Sequence, residues 1–267
     1  MHFQDRLGDW MKIRLHQFLS RTGHFSTKNK AKNAVWNGSI SVGGRIVKDI
    51  SYEFNPDKRE VYFDGMELSL PRKYDYFILN KPKGVICSRI NKHERSLNKK
   101  SVFSLFEGKV DPRVFESLVT VGRLDEGTTG LLIITNDGTL VNDVANPSKN
   151  IGKTYVLKVS KKVSHEVINS IRDGVRIEIT RNGNIEEYTT RPAEVTKISD
   201  YSIEITIFEG KKRQIRRMIE SLGNRVLELH RVSIGGLDLD SYSLNEGEYK
   251  EESREVIVER IGASASF

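Results

Sequence analysis

Ile13, Leu15, Phe18 and Leu19 recur at near-helical spacing, which predicts a first helix with one buried face. Gly23 follows as a C-cap able to take positive φ. Ser26 or Thr27 can cap a second helix, in which Ala31, Ala34 and Val35 form the buried stripe and Gly38 marks the end. The period then shortens. Ile40 and Val42 alternate with serines, Gly43-Gly44 turns the chain, and Ile46 and Val47 return. The order helix, helix, hairpin describes a small N-terminal module. Asn55-Pro56-Asp57 and Leu70-Pro71-Arg72 punctuate the chain on either side of Arg59 to Leu70, placing a domain boundary near residues 70–75.

Beyond that boundary the pattern is mainly of strands. Tyr76 to Leu79, Val85 to Cys87, Leu118 to Val121, Leu131 to Ile134 and Tyr155 to Val159 read as β runs. Ser202 to Phe208 places Ile203, Ile205 and Ile207 on one face. Helices are expected only at Ser164 to Arg172 and at Gln214 to Leu222, the latter ended by Gly223. Strands without βαβ alternation predict an α+β fold on a mixed, mainly antiparallel sheet. The expected organisation is an N-terminal extension (1–11), a small module with its linker (12–70), a larger domain (71–262) and a frayed tail (263–267).

Composition narrows the class. In 267 residues, 37% are hydrophobic and 30% charged, as in a folded soluble protein. No apolar run approaches the roughly 20 residues that cross a bilayer, and Met1 to Trp10 has no signal-like apolar core. One cysteine, Cys87, excludes an intramolecular disulfide. A cytoplasmic protein with no membrane partner is expected. The net charge of +7 is unevenly placed. Lys12, Arg14, Arg21, Lys28, Lys30, Lys32, Arg45 and Lys48 precede any acidic residue of their stretch, and Lys211, Lys212, Arg213, Arg216 and Arg217 form a second cluster. A solvated helix face accounts for many such runs, but two separated clusters favour a nucleic-acid partner.

The candidate chemistry is defined first by what is missing. The histidines form no paired-ligand motif, so no metal site is expected. Neither glycine-rich nucleotide loop nor a G-x-S-x-G elbow occurs, leaving a cofactor-free enzyme or a pure binder. The densest candidate is the loop Gly122-Arg123-Leu124-Asp125-Glu126-Gly127-Thr128-Thr129-Gly130 between two apolar strands. It is either a polar hairpin loop or a site where backbone approaches a ligand. Asp125 and Glu126 are adjacent and make a poor glycosidase pair.

Two resemblances follow from these motifs. R-L-x-x-F-L-S at Arg14 to Ser20, the basic helix and N-G-x-I-x-V-G-G resemble the S4 RNA-binding module, with Ser26-Thr27-Lys28 and Gly43-Gly44 standing where it usually has Ser-Arg and Asn-Gly. The G-R-L-D loop, G-K-T-Y at Gly152 to Tyr155, R-Q-I-R at Arg213 to Arg216, L-N-K-P-K-G-V-I-C-S at Leu79 to Ser88 and L-G-N-R-V-L-E-L-H-R at Leu222 to Arg231 resemble the small-subunit rRNA (RsuA-like) pseudouridine synthases. That resemblance implies an RNA uridine isomerase with no cofactor and no metal. It implies Asp125 as the essential carboxylate, Tyr155 stacking on a flipped uracil and Arg216 pairing with Asp125. Ile215 or Val226 would form the apolar floor, and Arg123 would fill the space the base vacates. RNA contacts would come from Arg14, Arg21, Lys28, Lys30, Arg45, Lys211 and Arg213. The partner implied is rRNA or a pre-ribosomal particle, bound by a monomer. The alternatives are a non-catalytic S4-type assembly protein and a tRNA-directed synthase.

Overall fold

The computed structural model describes residues 12–262 apart from 57, 71–73 and 182. The expected extension 1–11 and tail 263–267 lie outside the described residues. The chain forms two compact units, Met1–Asp75 with Phe106–Val119 and Thr135–Gly138, and the remainder.

In the first unit, Ile13–Arg14 is not helical as the apolar spacing predicts. It is a short strand paired antiparallel with Glu53–Phe54, and the helix runs Leu15–Arg21. Apolar spacing cannot separate the two, because both bury Ile13. Thr27 caps the second helix, Lys28–Trp36, by accepting from the Lys30 N–H. Ile40–Val42 and Arg45–Ile46 form the expected hairpin, but Ile46 points out at 66% exposure while Val47 is buried. Residues beyond Arg59 do not form a linker strip. Val61–Phe63 pairs with Ile40–Val42, and Met66–Leu68 pairs in turn with Val61–Phe63. One apolar core of Leu15, Phe18, Leu19, Val35, Ile40 and Phe54 holds these pieces together. Gly23 has φ +65, and a Cβ there would lie 2.1 Å from the Arg113 carbonyl oxygen, so only glycine fits between the first helix and Pro112–Ser117.

The second unit is built on one sheet, in the order Glu194–Ser199, Ser202–Ile207, Lys153–Val159, Val226–Ile234, Thr129–Thr135, Tyr76–Lys81, Tyr249–Glu251. Most of its pairs are antiparallel, but Thr129–Gly130 runs parallel to His230–Arg231. The continuous apolar run Leu131–Ile134 is buried throughout, as for a central strand covered on both faces. Ile203, Ile205 and Ile207 alternate with half-buried polar residues, so that strand has one covered face. His165–Asp173, capped by Ser164, and Gln214–Ser221 are the two expected helices. Gly138–Ala145 and Arg254–Ile261 are additional helices.

Candidate active site

The glycine-rich loop is fastened from below by Lys81, the fully buried end of the strand Tyr76–Lys81. Its Nζ donates to the carbonyls of Pro82 (3.0 Å), Thr128 (2.9 Å) and Glu126 (3.5 Å). Burial holds its amine below the usual lysine range, and these carbonyls offset part of that cost. The Gly84 N–H donates to the Glu126 carbonyl, and Thr128 N–H closes a turn onto the Asp125 carbonyl. Leu124 N–H donates to Cys87 Sγ at 3.4 Å, and burial pushes that thiol's pKa up. Glu126 is drawn aside, its carboxylate accepting twice from Lys99 Nζ at 2.7 and 2.8 Å. Asp125 is left half-buried on the wall of a cavity of about 440 Å³. Lys81 and Lys99 carry no assigned role in the sequence reading. The signal for Lys81 is its place in the L-N-K-P-K-G motif, beside the Pro82-Lys83-Gly84 turn.

Tyr155 enters the same cavity from the strand Lys153–Val159 and is buried. It pairs across the sheet with Ile205 and Arg231, and the Arg231 guanidinium carbon lies 6.0 Å from its ring centre. Ile215 lines the cavity, as expected of an apolar floor, but Val226 does not. Register explains the difference. Val226 faces Val159, four residues along from Tyr155, whereas Leu229 faces Leu157, two residues along. At about 3.3 Å per residue, Val226 is roughly 13 Å away and Leu229 roughly 7 Å. Leu229 and Ile207 therefore supply the apolar wall assigned to Val226.

The second basic cluster opens the helix Gln214–Ser221. Arg213 adopts φ +56 ahead of it. Buried Gln214 ties the turn together, accepting from Lys211 N–H and donating to Glu209, each at 2.9 Å. Glu209 also accepts from the Tyr188 hydroxyl, which pushes that phenol's pKa up to about 12. Lys211 Nζ lies 4.5 Å from the Tyr188 ring centre. The expected ion pair between Arg216 and Asp125 is absent. Arg216 donates instead to the carbonyls of Gly127 (3.1 Å) and Val226 (3.3 Å), and among the described residues no ion pair reaches Asp125. A guanidinium matches two carbonyls set apart as well as one carboxylate, and here it crosslinks the loop to the neighbouring strand. Arg123, Lys211, Lys212, Arg213 and Arg216 line the cavity with Asp125 and Glu126 as its acids, an excess of positive charge that suits a phosphate backbone.

In the first unit, Lys28, Lys30 and Arg45 are exposed, and Arg21 is half-buried against Gly138. Arg14 is also exposed, but it pairs with Glu53 at 3.0 Å, so its charge is partly answered within the module. Among the described residues there is no group of three His, Cys, Asp or Glu side chains able to hold a metal ion.

Residues 75–221 match the family model of RNA pseudouridylate synthase, and residues 13–59 match the S4 domain. The chain belongs to the RNA pseudouridylate synthase family. The synthase is 31% identical to ribosomal small subunit pseudouridine synthase A of Haemophilus influenzae, over 89% of this chain and 95% of that one. It is 32% identical to the RNA pseudouridine synthase YtzG of Bacillus subtilis, over 91% of this chain and 96% of that one. A crystal structure of a pseudouridylate synthase matches with a TM-score of 0.63 at 30% identity, covering 93% of the synthase and 99% of that chain. Family, fold class and isomerase chemistry are those the motifs imply.

Proposed function

We propose that this synthase isomerises a specific uridine of ribosomal RNA, as a cytoplasmic monomer acting on rRNA or a pre-ribosomal particle. The relative from Haemophilus influenzae is named for the small ribosomal subunit, which supports that choice of RNA. No described helix is long and apolar enough to cross a membrane. The reaction breaks the bond from N1 to the ribose, turns the base and joins C5 to the same sugar carbon. The C5 proton leaves and N1 regains one.

One observation carries the assignment of residues: Asp125, Tyr155, Ile215 and the basic side chains line a single cavity. Asp125 is the essential carboxylate, since such a group can attack as nucleophile, stabilise a sugar cation or move a proton. Tyr155 stacks on the flipped uracil, a contact that contributes about 1–3 kcal/mol per base. Ile215 and Leu229 close the apolar side, and Arg123 enters the space the base leaves, offsetting the few kcal/mol that unstacking costs. Arg216 acts through the loop it holds at Gly127.

Asp125→Asn is expected to retain RNA binding while tritium release from C5-labelled uridine in rRNA fragments disappears. Activity remaining within tenfold of the unmodified enzyme overturns the role of Asp125. Running the assay separately on rRNA fragments and on tRNA tests the substrate, and preferential release from tRNA overturns the rRNA assignment.

A further inference from the structure

Trp36 ends the helix Lys28–Trp36 with 57% of its surface exposed. Lys28, Lys32 and Trp36 follow one another at intervals of four, so they form one stripe along the helix. Lys32 Nζ lies 5.7 Å from the Trp36 ring centre. The hairpin reaches the same end of the helix: a Cβ on Gly38 would meet Lys48 Cε at 3.3 Å and Ile46 Cγ2 at 3.5 Å. Ile46 is the second exposed apolar side chain of this patch, at 66%. From Lys12 to Lys48 the sequence contains no Asp or Glu, Asp49 being the first, and among the described residues no ion pair engages Lys28, Lys32 or Lys48.

A single exposed apolar side chain needs no explanation. An exposed indole flanked by lysines in an acid-free stretch is a different combination. It pairs a flat apolar face with phosphate-seeking cations, which is how single-stranded nucleic acid is held without reading base edges. An acidic protein surface would satisfy the lysines but would leave the indole without a planar partner.

We propose that Trp36 is a stacking platform for an unpaired base of the RNA, with Lys28, Lys32 and Lys48 on the flanking phosphates. The inference rests on RNA being the partner and adds that the segment bound by the S4 module is single-stranded at this point. The bases of a duplex are stacked on one another and present no free face along their length.

The test uses the full chain. Trp10→Phe leaves Trp36 as its one tryptophan, since the sequence has two. Single-stranded oligonucleotides are expected to quench the Trp36 fluorescence strongly, and a blunt duplex of the same sequence is not. Trp36→Ala is expected to weaken single-strand binding about tenfold without changing its salt dependence, and Trp36→Phe to recover most of it. Lys32→Ala is expected to lower the salt slope by about one contact's worth instead. Since Trp36 faces solvent, the melting temperature of Trp36→Ala should stay within about 2 °C, which separates lost stacking from lost folding. Unchanged single-strand affinity in Trp36→Ala, or equal quenching by the duplex, overturns the proposal. So does a loss of binding to ribosomal particles with naked RNA unaffected, because it assigns the patch to a protein partner. None of these readouts needs turnover, so a failure of the isomerase assay on rRNA is seen separately.

Discussion

Asp125 faces its cavity because two lysines engage its surroundings. Lys99 draws Glu126 aside, and Lys81 grips the loop backbone from within the core. Lys81→Met keeps the length of the stem but leaves the Thr128 carbonyl without its donor. It is expected to cost about 2 kcal/mol of stability and to lower kcat while RNA affinity stays unchanged. Chemical denaturation and single-turnover kinetics check the two effects. His230 gives the same residue-level logic a pH dependence. Burial lowers its imidazole below 6.5, and its Nδ1 lies 2.8 Å from Thr129 Oγ1. Between the lowered native value and 6.5 the unfolded chain binds more protons than the native state, so this contribution is fully present above 6.5 and is lost as pH falls through the native value. Melting curves of the unmodified protein and His230→Asn should therefore converge as pH drops from 7 to 5. A gap that does not change with pH removes His230 as the linked group.

At the scale of elements, the parallel pairing of Thr129–Gly130 with His230–Arg231 sets the height of the loop above the sheet. Gly130 sits at φ +102, and a Cβ there would lie 2.2 Å from the Arg231 carbonyl oxygen. Gly130→Ala combines strained backbone with a backbone clash and is expected to cost about 3 kcal/mol, read as a lowered denaturation midpoint. The helix Gln214–Ser221 is placed by buried polar groups rather than by its apolar face alone. Gln214 and Glu209 bond to one another, while Tyr188 and the Arg191 N–H bond to Glu209. This network joins residues far apart in sequence, and no period or spacing announces it.

For the whole molecule, one acid-poor basic cluster on the N-terminal module and a second lining the isomerase cavity make binding strongly ionic. If about five phosphates are neutralised, raising salt from 50 to 200 mM should weaken single-strand affinity roughly 100-fold, while thermal stability changes little. A nearly flat salt response defeats the phosphate-contact account. Much of this architecture is legible along the chain, because its causes are local. Apolar period, a Thr27 cap, glycine turns and the order of the short motifs depend on near neighbours, so they identify two modules, the α+β class, the family and the loop of Asp125. Folding alone decided the rest. Whether Ile13 is helix or strand depends on the partner it finds at Phe54. Whether Val226 or Leu229 reaches the cavity depends on register against Tyr155, and whether Arg216 meets Asp125 or Gly127 depends on a guanidinium choosing among acceptors many residues away. Such choices are made by distance in space, and the linear order of residues does not contain that distance.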